Sequence, residues 1–253
     1  MAGEFALIER LLSQVRPDPN AQTNGLLLGP GDDCALIAPP APGESFAITT
    51  DMLVEGTHFL HTDSPEDLGW KTLAVNLSDL AAMGAMPRYV TLAAALLAGD
   101  ESSAWVDQFF SGFTACAQQH NVSLIGGDTT RGPRTFSVTA IGTVNPDQAI
   151  RRSDAQDQDD IWISGTPGMA ALGLAYKLGT TDLPVVLEQS TYKALHRPQP
   201  RIALGLSLAG LAHSCLDVSD GLLQDLGHIA QASGLAATSV SYTHLRAHET
   251  LRY

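Results

Sequence analysis

The sequence predicts an α/β (α+β) protein with acids gathered at its strand ends, and three observations predict it. Apolar residues make up 44% of the 253 and charged residues 16%, the proportions of a compact core rather than of a disordered chain. Short apolar runs alternate with longer segments of helical spacing, so strands and helices share that core. Asp32, Asp33, Asp51, Asp79, Asp128, Asp217 and Asp220 each stand beside glycine or at a strand or helix edge. The length is enough for one large or two modest domains.

Residues 4–15 place Phe5, Ile8, Leu11, Leu12 and Val15 at the spacing of an amphipathic helix that stops before Pro17 and Pro19. Gly29 to Asp33 is a turn feeding a short strand through Ile37. Residues 45–50 form a strand that ends in Thr49, Thr50 and Asp51, and 51–59 form a loop leaving the cleft. His58, taken alone, has the pattern of a surface or structural histidine. Ser64-Pro65-Glu66-Asp67 starts a helix, with Ser as N-cap, Pro at the first position and an acid at the third. That helix runs to Met83, before a left-handed cap at Gly84. Leu73, Leu77 and Leu80 share one of its faces, which brings Asn76 and Asp79 close to buried surface.

Tyr89–Leu97 is an apolar strand, and Ser103–Gln119 a helix whose Trp105, Phe109, Phe110 and Phe113 point to the core. Val122–Ile125 is a strand that breaks at Gly126-Gly127-Asp128, where adjacent glycines let backbone amides approach an anion. The next strand carries Phe136, Val138 and Ala140 on one side and Thr135, Ser137 and Thr139 on the other. The polar stretch Ser153–Asp160 marks a boundary, giving domains over 1–150 and 151–237. The second holds a strand at Ile161–Ser164, a turn at 165–168, a helix at Met169–Leu178 and two helices flanking His196-Arg197-Pro198. Leu216 to Gly221 then repeats the opening pattern of strand end, acid, hydroxyl and acid, followed by a helix to Ser233. Residues 238–253 turn to His, Arg, Tyr and Thr with no apolar face and are expected to be a non-native tail.

Were these acids to converge, carboxylates about 4 Å apart would repel by about 1 to 4 kcal/mol per pair. Such a cluster needs cations, and oxygen-only ligands suit Mg²⁺ held by a few carboxylates, waters and substrate phosphates. A formal charge of −13 excludes nucleic acid and anionic membrane as partners, and it would repel ATP unless metal ions intervened. None of Lys71, Lys177 and Lys193 follows a glycine-rich loop, which removes the Walker class of nucleotide site. Cys34, Cys116 and Cys215 fit neither a disulfide framework nor a zinc site. Arg151 and Arg152 stand out in an acidic protein, and the guanidinium fork suits phosphate. With no signal-peptide core and no apolar run long enough for a bilayer, a cytoplasmic enzyme is expected.

Together, GDDCAL, TTDMLVEGTHF, KTLAVNLSDLAAMGAMP, LIGGDTTRGP and DVSDGL resemble the thiamine-monophosphate kinase family, over residues 3 to about 237. Its superfamily includes aminoimidazole ribonucleotide synthetase and selenophosphate synthetase. The resemblance implies transfer of the ATP γ-phosphoryl group to thiamine monophosphate, with several Mg²⁺ ions. By position it assigns Asp33, Thr49, Thr50, Asp51, Asp79, Asp128, Asp217 and Asp220 to metal, Gly127, Asp128, Arg152 and Ser219 to ATP, and His58 to the thiamine phosphate. It implies a two-domain fold whose N-terminal domains pair into a homodimer around a shared β-barrel flanked by helices. The acceptor is already a phosphate with a second pKa near 6, so no general base is expected. The family's GGEDYE-like segment and late ring-binding aromatic are absent, so the second domain is expected to be incomplete. Two other expectations stand beside this one. One is a different ATP-using synthetase of the superfamily, although the early reactive Cys and glycine-rich start of selenophosphate synthetase are missing. The other is an inactive fragment that binds Mg²⁺ and nucleotide.

Overall fold

The structure is a computed structural model and describes residues 25–30, 32–100 and 103–238. The helix expected over 4–15 and residues 239–253 of the expected tail lie outside these. A two-stranded antiparallel ribbon, β1 (Leu26–Leu28) with β2 (Leu36–Ile37), precedes the main sheet. That sheet contains β3 (Ser45–Val54), β4 (Met86–Leu96), β5 (Ser123–Arg131) and β6 (Thr135–Val144) in the order β3-β6-β4-β5. Only β4 and β5 are parallel, joined by a helical crossover as parallel neighbours require. β3 and β5 are the two edges, so the strands of one chain form an open sheet and not a closed barrel.

Helices α1 (Pro65–Ala82) and α2 (Ala104–Gln119) cover one face. Ser64 caps α1 by accepting the Asp67 N–H, and Ser103 caps α2 by accepting that of Trp105. Two glycines set how closely the helices approach. A Cβ on Gly69 would stand 1.8 Å from the Phe109 carbonyl oxygen, and one on Gly112 would stand 1.7 Å from that of Glu66. Between helices and sheet lie Leu73, Leu77, Leu80, Phe109, Phe113, Val90, Phe136 and Val138, each no more than 2% exposed. Phe109 stacks on Phe136 with centroids 4.3 Å apart. Trp105 sits at the rim of this core under the guanidinium of Arg134, 4.2 Å from its ring centroid, which Asp100 holds with two 2.8 Å bonds.

The structure corrects four boundaries. β3 runs on to Val54, because its ladder with β6 continues from Asp51 opposite Val138 to Val54 opposite Thr135, so Asp51 lies inside the strand. β5 does not break at its glycines. Gly127 pairs with Leu92 and Asp128 with Ala93, and a Cβ on Gly127 would meet the Leu92 carbonyl at 2.0 Å. The glycine marks a close approach of two strands, not the end of one. Residues 161–164 are not a strand; they lack a ladder partner, and Trp162 is 80% exposed. Residues 216–218 are likewise irregular.

The remaining helices are α3 (Met169–Lys177), α4 (Val185–His196), α5 (Ile202–Leu208) and α6 (Leu222–Ser233). They are tied back to α1. Trp70 Nε1 donates to the Pro198 carbonyl at 2.8 Å, Arg197 bonds both Asp67 and Glu66, and Tyr192 donates to Asp67. Gly205 lets α5 sit against the end of α1, since a Cβ there would stand 1.9 Å from the Ala81 carbonyl oxygen. Among the described residues no helix is long and apolar enough to cross a membrane.

Candidate functional site

Strand periodicity divides β3 between two environments. Thr49, Asp51 and Leu53 face the helices, while Ile48, Thr50 and Met52 face outward. On the helix side, Thr49 Oγ1 donates to Asp79 Oδ2 at 2.6 Å, and the Asp51 N–H donates to Asn76 Oδ1 at 2.9 Å. Asn76 is 1% exposed, and its amide nitrogen donates to the Thr72 carbonyl, so it is fully committed to pinning β3 onto α1. Its one signal in the sequence is an amide beside a leucine face.

A third acid reaches this point from the second half of the chain. Burial, then Asp79 and Asp51, push the Asp217 carboxyl up to about 6, against the lowering effect of a hydrogen bond from Ser78. Asp51 is raised in turn by burial and by Asp79, with His58 opposing. A carboxylate that raises another in this way lies within electrostatic reach of it. Thus β3, α1 and the 216–221 stretch each bring one acid toward the same region. Among the described residues, no three His, Cys, Asp or Glu side chains already form a metal cage. An oxygen-only donor set with room for waters and phosphates fits Mg²⁺, which dehydrates reluctantly and seldom takes an all-protein cage.

His58 stands beside this cluster in the turn that follows β3. Its Nδ1 accepts the Val54 N–H at 3.0 Å, its own N–H donates to the Val54 carbonyl, and Lys71 Nζ donates to its carbonyl at 3.2 Å. With Nδ1 accepting, the neutral ring carries its proton on Nε2 and offers a donor to solvent or ligand.

The other expected residues are placed more loosely. Thr50 shares its hydroxyl bond with Thr139 at 2.9 Å, on the opposite face of β3 from Asp51. Asp33 is exposed, and its N–H donates to Asp32. Gly127 and Asp128 are exposed on β5, with β4 and β6 between them and β3. Ser219 and Asp220 are exposed in the loop before α6, and Gln224 donates to Asp220 at 3.1 Å. Arg152 is exposed, while its carbonyl accepts from Ser214 and Ser233.

The family model for AIR synthase related protein, N-terminal domain, matches residues 31–144. A thiamine-monophosphate kinase of Haemophilus influenzae is 46% identical over 239 residues, covering 93% of this chain and 70% of the relative. The crystal structure of the thiamine-monophosphate kinase from Stenotrophomonas maltophilia K279a superposes with a TM-score of 0.79 at 49% identity, over 91% of this chain and 72% of that one. A further structure, AaThiL complexed with AMPPCP and TMP, gives 0.71 at 30% identity over 80% and 64%. The chain belongs to the thiamine-monophosphate kinase family.

Proposed function

We propose that the chain transfers the γ-phosphoryl group of ATP to thiamine monophosphate, forming thiamine diphosphate and ADP. The observation that carries this reading is the convergence of Asp51, Asp79 and Asp217 from three separate elements beside His58. The relative solved with AMPPCP and TMP supports ATP and the monophosphate as the pair of substrates.

Asp33, Thr49, Thr50, Asp51, Asp79, Asp128, Asp217 and Asp220 would hold Mg²⁺. When bound, Mg²⁺ would neutralise phosphate charge and align donor and acceptor. Gly127 and Asp128, with Ser219 and Arg152, would bind the nucleotide, the arginine by its planar fork. His58 would give its Nε2 proton to an acceptor phosphate oxygen as a hydrogen bond and orient it. A second acceptor oxygen, deprotonated at neutral pH, attacks the γ-phosphorus. The bond from that phosphorus to the β-bridging oxygen breaks, and ADP leaves with the electron pair. No side chain needs to remove a proton, which agrees with a site of carboxylates.

The same reading divides the chain into a metal- and ATP-binding domain over 1–150, a partial α/β domain over 151–237 and a tail, and places the protein in the cytoplasm. Two copies would pair through the outward face of the sheet, where Ile48 is 65% and Met52 53% exposed, and close a barrel between them. Asp128 is in register with Met52 across the sheet, through Ala93 and Ser137, and so shares that outward face.

The test is thiamine diphosphate formation from thiamine monophosphate, ATP and Mg²⁺. Turnover that disappears in Asp51→Ala and on chelation is the expected result. Mg-dependent nucleotide binding without turnover would favour a binding-only role, and no nucleotide binding would overturn both.

A further inference from the structure

Asp225 is the most buried carboxylate among the described residues, at 3% exposed. Asp67 and Asp100, the next most buried, take arginine partners, whereas Asp225 takes backbone amides. Its Oδ2 accepts the N–H groups of Ser219, Asp220 and Gly221 at 3.0, 3.2 and 3.1 Å. These residues precede α6, while Asp225 lies in its first turn, so the helix reaches back to hold the loop that leads into it. Gly221 at the junction has φ +132 and no side chain with which to cap the helix. A capping residue at 221 would secure only the helix end. The carboxylate instead fixes three consecutive peptide planes, with their N–H groups turned inward and the Ser219 and Asp220 side chains left exposed.

We infer that Asp225 is a positioning residue for the nucleotide: it touches no ligand but holds the 217–221 loop in the shape that presents Ser219, Asp220 and Asp217 to Mg·ATP. This rests on the reading of the site as a Mg·ATP site. A loop fixed in advance loses less conformational freedom on binding, and charge-assisted bonds to amides are about twice as strong as neutral ones. Neutralising the carboxylate should therefore loosen the loop and weaken nucleotide binding without unfolding the chain.

Asp225→Asn keeps the shape and one acceptor oxygen; Asp225→Ala removes the acceptor. Two measurements on the whole chain separate the outcomes: hydrogen exchange at the amides of 219–221, and calorimetric affinity for AMPPCP with Mg²⁺. The expected result for the Asn variant is exchange about tenfold faster at those three amides and affinity about tenfold weaker. The KM for thiamine monophosphate should stay near that of the unsubstituted chain, and the Ala variant should exceed the Asn variant in both exchange rate and lost affinity. Unchanged exchange would show that the carboxylate does not hold the loop, and faster exchange with unchanged affinity would show that the hold does not serve the nucleotide. Either result overturns the inference. If the unsubstituted chain itself binds no AMPPCP, the reading of the site fails first and the inference falls with it.

Discussion

Asp217 carries a pH dependence whose sign is opposite to that of a salt-bridged acid. Burial and two neighbouring carboxylates raise its folded pKa to about 6 from 3.8, so the folded protein holds this proton more tightly than the unfolded chain. The resulting stabilisation is complete below pH 3.8 and is lost as pH rises through about 6. The full shift corresponds to about 3 kcal/mol, and partial solvent access reduces this to about 1 to 2 kcal/mol. Asp217→Asn in metal-free buffer should remove this part of the pH dependence and raise the thermal midpoint at pH 7. An unchanged slope between pH 4 and 6 in urea titrations would show that the acids are not close. Mg²⁺ with nucleotide should stabilise the unsubstituted protein and act less on the variant, because a ligand stabilises only the state that binds it.

Among the elements, the pair α1 and α2 is fixed by backbone contact at Gly69 and Gly112. Alanine in a helix interior normally gains about 1 kcal/mol over glycine. Here the added methyl would meet a carbonyl oxygen at 1.8 or 1.7 Å, so the helices must separate and loosen the Phe109 and Leu73 packing beneath them. Overpacking of this kind costs about 1 to 3 kcal/mol or more. Gly69→Ala should therefore lower stability by about 2 kcal/mol net, read as a shifted denaturant midpoint; a stabilised variant would refute the close approach. The sequence revealed α1 well because its signals are local, a Ser cap followed by Pro and acids. β3 and β5 were harder to delimit. The partner of Asp51 in the ladder, Val138, is distant in sequence, and two glycines in β5 look like a break until the neighbouring strand explains them. Asp225 escaped for the same reason, being defined by the amides it accepts, and Asn76 showed only as an amide near buried surface. Asp51, Asp79 and Asp217 stood out in the sequence as acids at element edges, whereas His58, which alone has the pattern of a surface or structural histidine, entered only through the family resemblance. An apolar run such as 161–164 misleads in the other direction, since β-propensity without a partner strand makes no ladder.

At the scale of the molecule, the sheet covers one face with helices and leaves the other to Ile48, Thr50, Met52, Thr139 and the neighbouring strand residues. Ile48→Lys combined with Met52→Lys places charge on that outward face. Sedimentation should give twice the chain mass for the unsubstituted protein and one chain mass for the double variant. A monomer in both cases would remove the paired-barrel reading. Val185 and Val186 in α4, Leu223 in α6 and Leu211 between α5 and α6 are also 75–84% exposed.

The ties between Arg197, Tyr192 and Pro198 and the first half of α1 have a consequence for dissecting the protein. The Ser153–Asp160 stretch separates two regions of sequence but not two mechanical bodies. A chain ended at residue 150 would lose the cation that neutralises Asp67 and the carbonyl that receives the Trp70 indole. It would also lose α5, which seats on the last turn of α1. The helix bearing Asn76, Ser78 and Asp79 would then lose contacts at both ends, so the half that carries Asp51 and Asp79 is not a portable module.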